Sequence, residues 1–152
     1  MFPNDKALSD STIKSLSSEI FPSWSKSDIE FLYELLNERN SKSNISHKKM
    51  PTFNQHTKFI ISKPYSKWYI IYYNDKKAGS IYLSRQNEIG IHIKKNMPIT
   101  IIFLSSLKIL IKKNPRKQFL ANISPSNIYY QNLFKKFGFK IIQYTFEKAK
   151  HK

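Results

Sequence analysis

The run Glu88-Ile89-Gly90-Ile91-His92-Ile93-Lys94-Lys95-Asn96, together with the stretch from Met97 to Phe139, decides the reading of this chain. Glu88 to Ile93 alternates as a short strand, Lys94-Lys95-Asn96 makes a basic corner, and the apolar run from about Pro98 to Lys112 reads as a helix. Gln118-Phe119-Leu120-Ala121-Asn122-Ile123 reads as a second strand. Asn127 then opens a helix that closes on Phe137-Gly138-Phe139, with Gly138 where a left-handed terminator belongs. Strand, crossover helix and strand in that order form a βαβ unit, which brings ligands to the corner where the first strand meets its helix.

Upstream, the aromatic and β-branched run Trp68-Tyr69-Ile70-Ile71-Tyr72-Tyr73 is succeeded by Asn74-Asp75-Lys76-Lys77, with turn chemistry, and returns as Gly79-Ser80-Ile81-Tyr82-Leu83. This is an antiparallel hairpin, and Glu88 to Ile93 extends it to a meander. Before it, Ser27 with Asp28 and Glu30 signals a helix start, and Ile29, Leu32, Tyr33, Leu35 and Leu36 recur at helical spacing to Arg39. Pro51-Thr52 opens a second short helix that Ser62-Lys63-Pro64 ends. Residues 1–24 are expected to be an extension or an edge strand near Leu16 to Phe21, Lys140 to Phe146 a last strand, and residues 149–152 a solvated tail. The fold class is therefore α/β (α+β): a mixed sheet with an antiparallel meander, then a βαβ crossover, and helices on both faces. Residues 25–148 read as one domain, since the length suits a single core and no repeat or linker interrupts it.

The absence of cysteine removes disulfides, thiolate metal sites and cysteine nucleophiles together, and fits a reducing, cytoplasmic setting. The first residues lack a secretion-signal pattern, and the run from Ile99 to Ile111 falls short of the roughly 20 apolar residues a membrane span needs, so no membrane is expected. A net charge of +16 points first to nucleic acid. Only Arg39, Arg85 and Arg116 are arginine, however, and planar bidentate recognition favours arginine over lysine. Composition drift therefore accounts for the charge better than a specific nucleic-acid partner does.

The element order resembles the GNAT family of acyl-CoA-dependent N-acetyltransferases. That family shows an asparagine, a small residue three on, a tyrosine seven on and Gly-Phe eleven and twelve on. Asn127, Tyr130, Phe134 and Gly138-Phe139 stand in those places. Gly79 matches the hairpin glycine, and Glu88-Ile89-Gly90 the Glu-x-Gly of the fourth strand. Leu32 to Leu36 with Arg39, Asn44-Ile45-Ser46-His47 and His56 are similar to a bacterial subgroup that acetylates amino groups on sugars or similar small amines.

The resemblance implies acetyl-CoA as cosubstrate and a small-molecule primary amine, an amino sugar among the candidates, as acceptor; a homodimer stays open. It implies that the backbone of Ile91, His92 and Ile93 pairs with the pantetheine arm, with Asn127 and position 134 beside it. The family's glycine-rich pyrophosphate loop falls on Pro98 to Phe103, where no glycine stands, so this loop reads as degenerate. Lys94, Lys95 and Lys112-Lys113 offer point charges in its place. The tyrosine that protonates the leaving thiolate aligns with Phe134, which has no proton to give, and Tyr130, one turn earlier, is the substitute. Glu88 is the favoured general base and His92 the second choice, while His47 and His56 fall in the acceptor pocket. The histidines lack metal-ligand spacing, so no metal is expected. A catalytically degenerate binding module that no longer uses acetyl-CoA is the alternative.

Overall fold

The computed structural model describes residues 13–15, 25–39 and 49–150. Four strands, β1 (Ile13–Ser15), β2 (Lys67–Tyr73), β3 (Lys76–Leu83) and β4 (Ile89–Ile93), form one sheet in that spatial order, every neighbouring pair antiparallel. The helices are α1 (Lys26–Glu38), α2 (Phe53–Ile61), α3 (Ile99–Lys113) and α4 (Ile128–Phe137). Asn74 and Asp75 join β2 to β3 with φ of 48° and 62°. Positive φ at both central residues is the geometry whose twist matches that of the flanking strands, and Asn and Asp tolerate it.

Strand alternation divides the core in two. Tyr69 and Ile71 of β2, Ile81 and Leu83 of β3 and Ile89, Ile91 and Ile93 of β4 meet Ile102, Phe103, Leu107 and Leu110 of α3 and Leu133 and Phe134 of α4. On the opposite face Trp68 and Ile70 meet Phe31, Leu32 and Leu35 of α1 and Ile60 of α2. The mixed α+β architecture with helices on both faces therefore stands as expected from the pattern.

Three local expectations are corrected. The cap of α1 is Ser25, whose side chain accepts from Asp28 N–H at 3.0 Å, while Ser27 accepts from Lys77 Nζ at 2.8 Å. Gln118 to Ile123 is not a full strand: among the described residues only Leu120 pairs, in a parallel bridge to Glu88. Phe119, Ala121 and Ile123 pack toward the α3–α4 core, and the chain leaves β4 after a single contact. Lys140 to Phe146 forms no strand and is exposed throughout. Residues 16–21, the expected edge strand, lie outside the described residues, and the edge is held by Ile13–Ser15 on β2.

One buried ion pair ties α1 to the hairpin. Asp28, 2 % exposed, meets Lys77 Nζ at 2.9 Å. Burial alone would raise the Asp28 pKa, but hydrogen bonds from Lys77 and Ser25 and the lysine charge outweigh it and leave the value lowered. A carboxylate whose folded value lies below its unfolded one contributes stability that is fully present above the unfolded value and is lost as pH falls through the folded one. Lys77→Met, which leaves the carboxylate without its cation, is expected to cost about 1.5–3 kcal/mol in urea unfolding at neutral pH. Asp28→Asn should flatten the acid limb of a stability–pH curve; an unchanged limb would show that the pair contributes nothing there.

Candidate active site

β4 separates two regions of different character, a cleft on one face and a partly unpaired edge. Its odd residues turn their side chains to α3 and α4, so alternation sends Glu88, Gly90 and His92 to the α1–α2 face. There a cleft of about 420 Å³ opens, its floor at Gly90, Ile91 and His92. Its walls are aromatic. Tyr65 stacks on Tyr82 at 3.7 Å, Trp68 meets Tyr65 edge-on at 4.9 Å, and Trp68 Nε1 donates to Ser80 Oγ at 2.7 Å.

The two strand glycines make this arrangement possible. A Cβ at Gly90 would stand 2.0–2.4 Å from the Tyr82 ring, so the bare backbone is what lets that ring lie across β4. A Cβ at Gly79 would stand 2.5 Å from the His92 carbonyl oxygen, so close β3–β4 approach depends on its absence.

His92 lines the cleft, and its Nε2 is buried with no hydrogen-bond partner among the described residues. Burial, then the charges of Arg39 and Lys95, push its pKa down to about 4. The imidazole is therefore neutral at physiological pH, with a free lone pair or N–H inside the cleft. His56 also lines the cleft, its ring 5.6 Å from that of Tyr33. His47 lies outside the described residues. Glu88 shares the face of His92 but is not part of the cleft lining; its N–H donates to Ser84 Oγ at 3.0 Å and its carbonyl accepts from Ser84 N–H at 2.8 Å. Of the two base candidates, the structure puts His92 in the cleft and Glu88 beyond its end.

The other side of β4 is an open edge. Lys94 N–H bonds the Ala78 carbonyl at 2.8 Å, so the even positions face β3 and the odd positions face outward. Ile89 N–H goes to the Leu120 carbonyl at 2.7 Å, and Ile93 N–H to Tyr130 Oη at 3.0 Å. Ile91 lies between them with its N–H and C=O turned to the opening. Tyr130, the expected substitute acid, thus reaches β4 with its hydroxyl engaged by a backbone donor, and burial raises its pKa.

Other expected cofactor contacts are used internally. Asn127 Oδ1 caps α4 by accepting from Tyr130 N–H at 3.2 Å. Phe134 is buried, its ring edge-on to Phe103 at 4.9 Å and to Phe139 at 5.1 Å. At the start of α3, Ile102 and Phe103 are fully buried, no side chain caps the helix, and Thr100 Oγ1 shares a 2.6 Å hydrogen bond with Tyr129 Oη. Lys94 and Lys95 are exposed, and the Lys95 N–H is taken by the Glu38 carboxylate. Lys112 and Lys113 stand at the far end of α3, roughly 20 Å along the helix, where they complement its dipole rather than join Lys94 and Lys95. The β4 edge thus leaves the backbone groups of Ile91 open, and the start of α3 carries no glycine.

Sequence reasoning passes over Tyr65, Trp68, Ser80 and Tyr82 as site residues. Gly90 opposite an aromatic strand is the available signal, because a strand glycine marks the close approach of another group.

No known family profile and no curated protein matches the chain. Solved structures do. A domain from Methanocaldococcus jannaschii superposes with a TM-score of 0.66 at 24% identity, over 84% of this chain and 86% of that one. The ribosomal L7/L12 α-N-protein acetyltransferase RimL, in complex with coenzyme A, gives 0.60 at 16% identity, over 79% and 78%. An aminoglycoside 6'-N-acetyltransferase of Acinetobacter haemolyticus gives 0.57 at 12% identity, over 91% and 97%. Likeness at these identities is one of fold: the chain has the GNAT fold.

The lowered His92 value carries a measurable consequence. Because the unfolded chain takes up this proton first as pH falls, stability should decline between about 6.5 and about 4. His92→Gln is expected to reduce that decline in denaturant titrations at stepped pH. An NMR imidazole titration of His92 with its midpoint near 6.5 would contradict the buried, neutral state.

Proposed function

We propose that this protein is an N-acetyltransferase that moves an acetyl group from acetyl-CoA to the primary amine of a small molecule held in the α1–α2 cleft. The observation that carries the reading is the cleft itself, which opens onto β4 at Gly90–His92, on the strand whose free edge runs at Ile91. Bound there, acetyl-CoA would supply the activated acyl group.

The aromatic walls would hold the acceptor by stacking and exclude water from the floor. Neutral His92, which lines the same cleft, would take the proton that an attacking amine must lose. A value near 4 makes it a weak base, so it would pass the proton on through water; Glu88, two positions further along the same face past Gly90, is the other candidate. The amine acceptors in the names of RimL and the aminoglycoside enzyme agree with this chemistry at the level of class.

A second reading, a binding module that no longer uses acetyl-CoA, is favoured by a specific observation: Tyr130 Oη already bonds Ile93 N–H, and Tyr129 bonds Thr100 across the start of α3. In that reading Pro98 to Phe103 is a degenerate pyrophosphate loop and the cleft persists as a ligand site.

Calorimetric titration with acetyl-CoA separates the two. Saturable binding that Lys95→Ala weakens is expected for the enzyme, together with turnover on small primary amines that falls by about 10²- to 10⁴-fold in the variant that removes the true base, His92→Gln or Glu88→Gln. No binding by the wild-type protein would end the enzyme reading. Binding acquired only by Tyr130→Ala would establish that the side chain occupies the place of the cosubstrate.

A further inference from the structure

Of the three arginines in the chain, two have their guanidinium groups occupied within the fold. Arg85 donates to the Lys63 and Pro64 carbonyls at 3.1 Å each, and Arg116 donates to Ser66 Oγ at 3.1 Å and to Asn87 Oδ1 at 3.4 Å. Arg39 is different. It closes α1, where its backbone N–H bonds the Leu36 carbonyl at 3.2 Å, and its guanidinium has neither a hydrogen bond nor an ion pair among the described residues. It is half-buried on the wall of the cleft, and its charge bears on both Tyr65 and His92. A planar, permanently charged fork of donors, held partly out of water without a partner, is matched by a carboxylate, which it can meet in bidentate fashion.

The cleft carries charge of one sign. Arg39 is the one formally charged residue among its described lining, and no Asp or Glu joins it. The carboxylates of α1 lie elsewhere: Asp28 meets Lys77 Nζ, Glu30 meets Lys26 Nζ, Glu38 takes the Lys95 N–H, and Glu34 is exposed. Residues 40–48 contain no acidic residue. A polycation would therefore find no counter-charge in the cleft and would meet a like charge at Arg39.

The rest of the wall is flat and apolar. Phe59 stands edge-on to Tyr65 at 5.9 Å and to Trp68 at 6.2 Å, and stacks near His56 at 6.4 Å. With the Tyr65–Tyr82 stack, these rings make a continuous aromatic surface that suits a planar apolar body. Aromatic faces attract cations as well, but the arginine beside them sets the opposite preference.

We propose that the acceptor is a primary amine that also carries a carboxylate and a planar apolar group, the chemistry of an aromatic amino acid; this rests on the acetyltransferase reading above. The carboxylate meets Arg39, the ring lies against Tyr65, Trp68 and Phe59, and the amine is left toward His92. In the transfer the amine nitrogen forms the new C–N bond and the C–S bond of acetyl-CoA breaks with its electron pair on sulfur. One proton passes from nitrogen to that sulfur by way of the base, giving an N-acetyl amino acid and free coenzyme A.

Calorimetry and turnover together separate this assignment from the reading it rests on. The full chain, with and without coenzyme A, is titrated with tryptophan, with tryptamine, which lacks only the carboxylate, and with kanamycin, a polycation. Tryptophan is expected to bind roughly 10- to 100-fold more tightly than tryptamine, with kanamycin weaker still. Arg39→Met should bring the tryptophan-to-tryptamine ratio close to one. Arg39→Lys, which keeps the charge and loses the planar fork, should retain part of it, with circular dichroism checking that both variants fold. Equal or tighter binding of tryptamine or kanamycin, a ratio that survives in Arg39→Met, or no tryptophan binding at millimolar concentration would overturn the proposal. Acetylation of tryptamine or kanamycin in preference to tryptophan would overturn it too, while leaving the enzyme reading intact. Arg39-dependent binding of tryptophan with no N-acetyltryptophan formed from acetyl-CoA would instead end the enzyme reading and support the ligand class.

Discussion

The five residues of β4 carry a constraint on which everything else depends: a strand has two faces and two edges, and here three of the four are committed. Ile89, Ile91 and Ile93 bury one face against α3 and α4, and β3 takes one edge. The opposite face carries Gly90 and His92 into the cleft floor. What is left is one edge with Ile91 at its centre. Because side chains alternate with a period of two, shifting this strand by one residue would put three isoleucines in the cleft and a histidine in the core. Register and site are thus the same fact.

That arrangement also explains the charge pattern inside a strongly basic protein. The cations are mostly at the surface, where lysine is readily solvated, and Asp28 with Lys77 is the case in which a buried carboxylate holds a cation between layers. His92 behaves in the opposite sense. Burial first, then the charges of Arg39 and Lys95, disfavour its protonated form, so it stays neutral.

Aromatic side chains gather at the junction of β4, α3 and α4. Tyr130 reaches the β4 edge, Phe103 and Phe134 pack edge-on beneath it, and Tyr129 closes on Thr100. These contacts stabilise the junction from within the chain. Ile93 N–H, which an unpaired edge would leave open, is satisfied by Tyr130 Oη from within the chain.

Much of this is legible in the order of residues. Local rules are enough for the hairpin turn at Asn74-Asp75, the helix stop at Gly138, both core faces of β2 and β4, and the strand alternation that sets His92 apart from its neighbours. They are enough, too, to notice that Pro98 to Phe103 has no glycine and that Phe134 has no hydroxyl. What local rules do not supply is partner choice. Gln118 to Ile123 and Lys140 to Phe146 have strand composition, yet a strand exists only where another backbone accepts its hydrogen bonds, and among the described residues one forms a single bridge and the other none. Likewise Tyr82 became a wall of the cleft because Gly90, eight residues on, left room for its ring, and Tyr130 became an edge cap because α4 crosses β4 at that point. The sequence by itself determined which residues could fold into strands and helices and which faces they would bury, since those are properties of neighbours along the chain. Only the tertiary structure decided which backbone groups are satisfied and which side chains meet in the cleft, because both depend on distances between segments that no local pattern encodes.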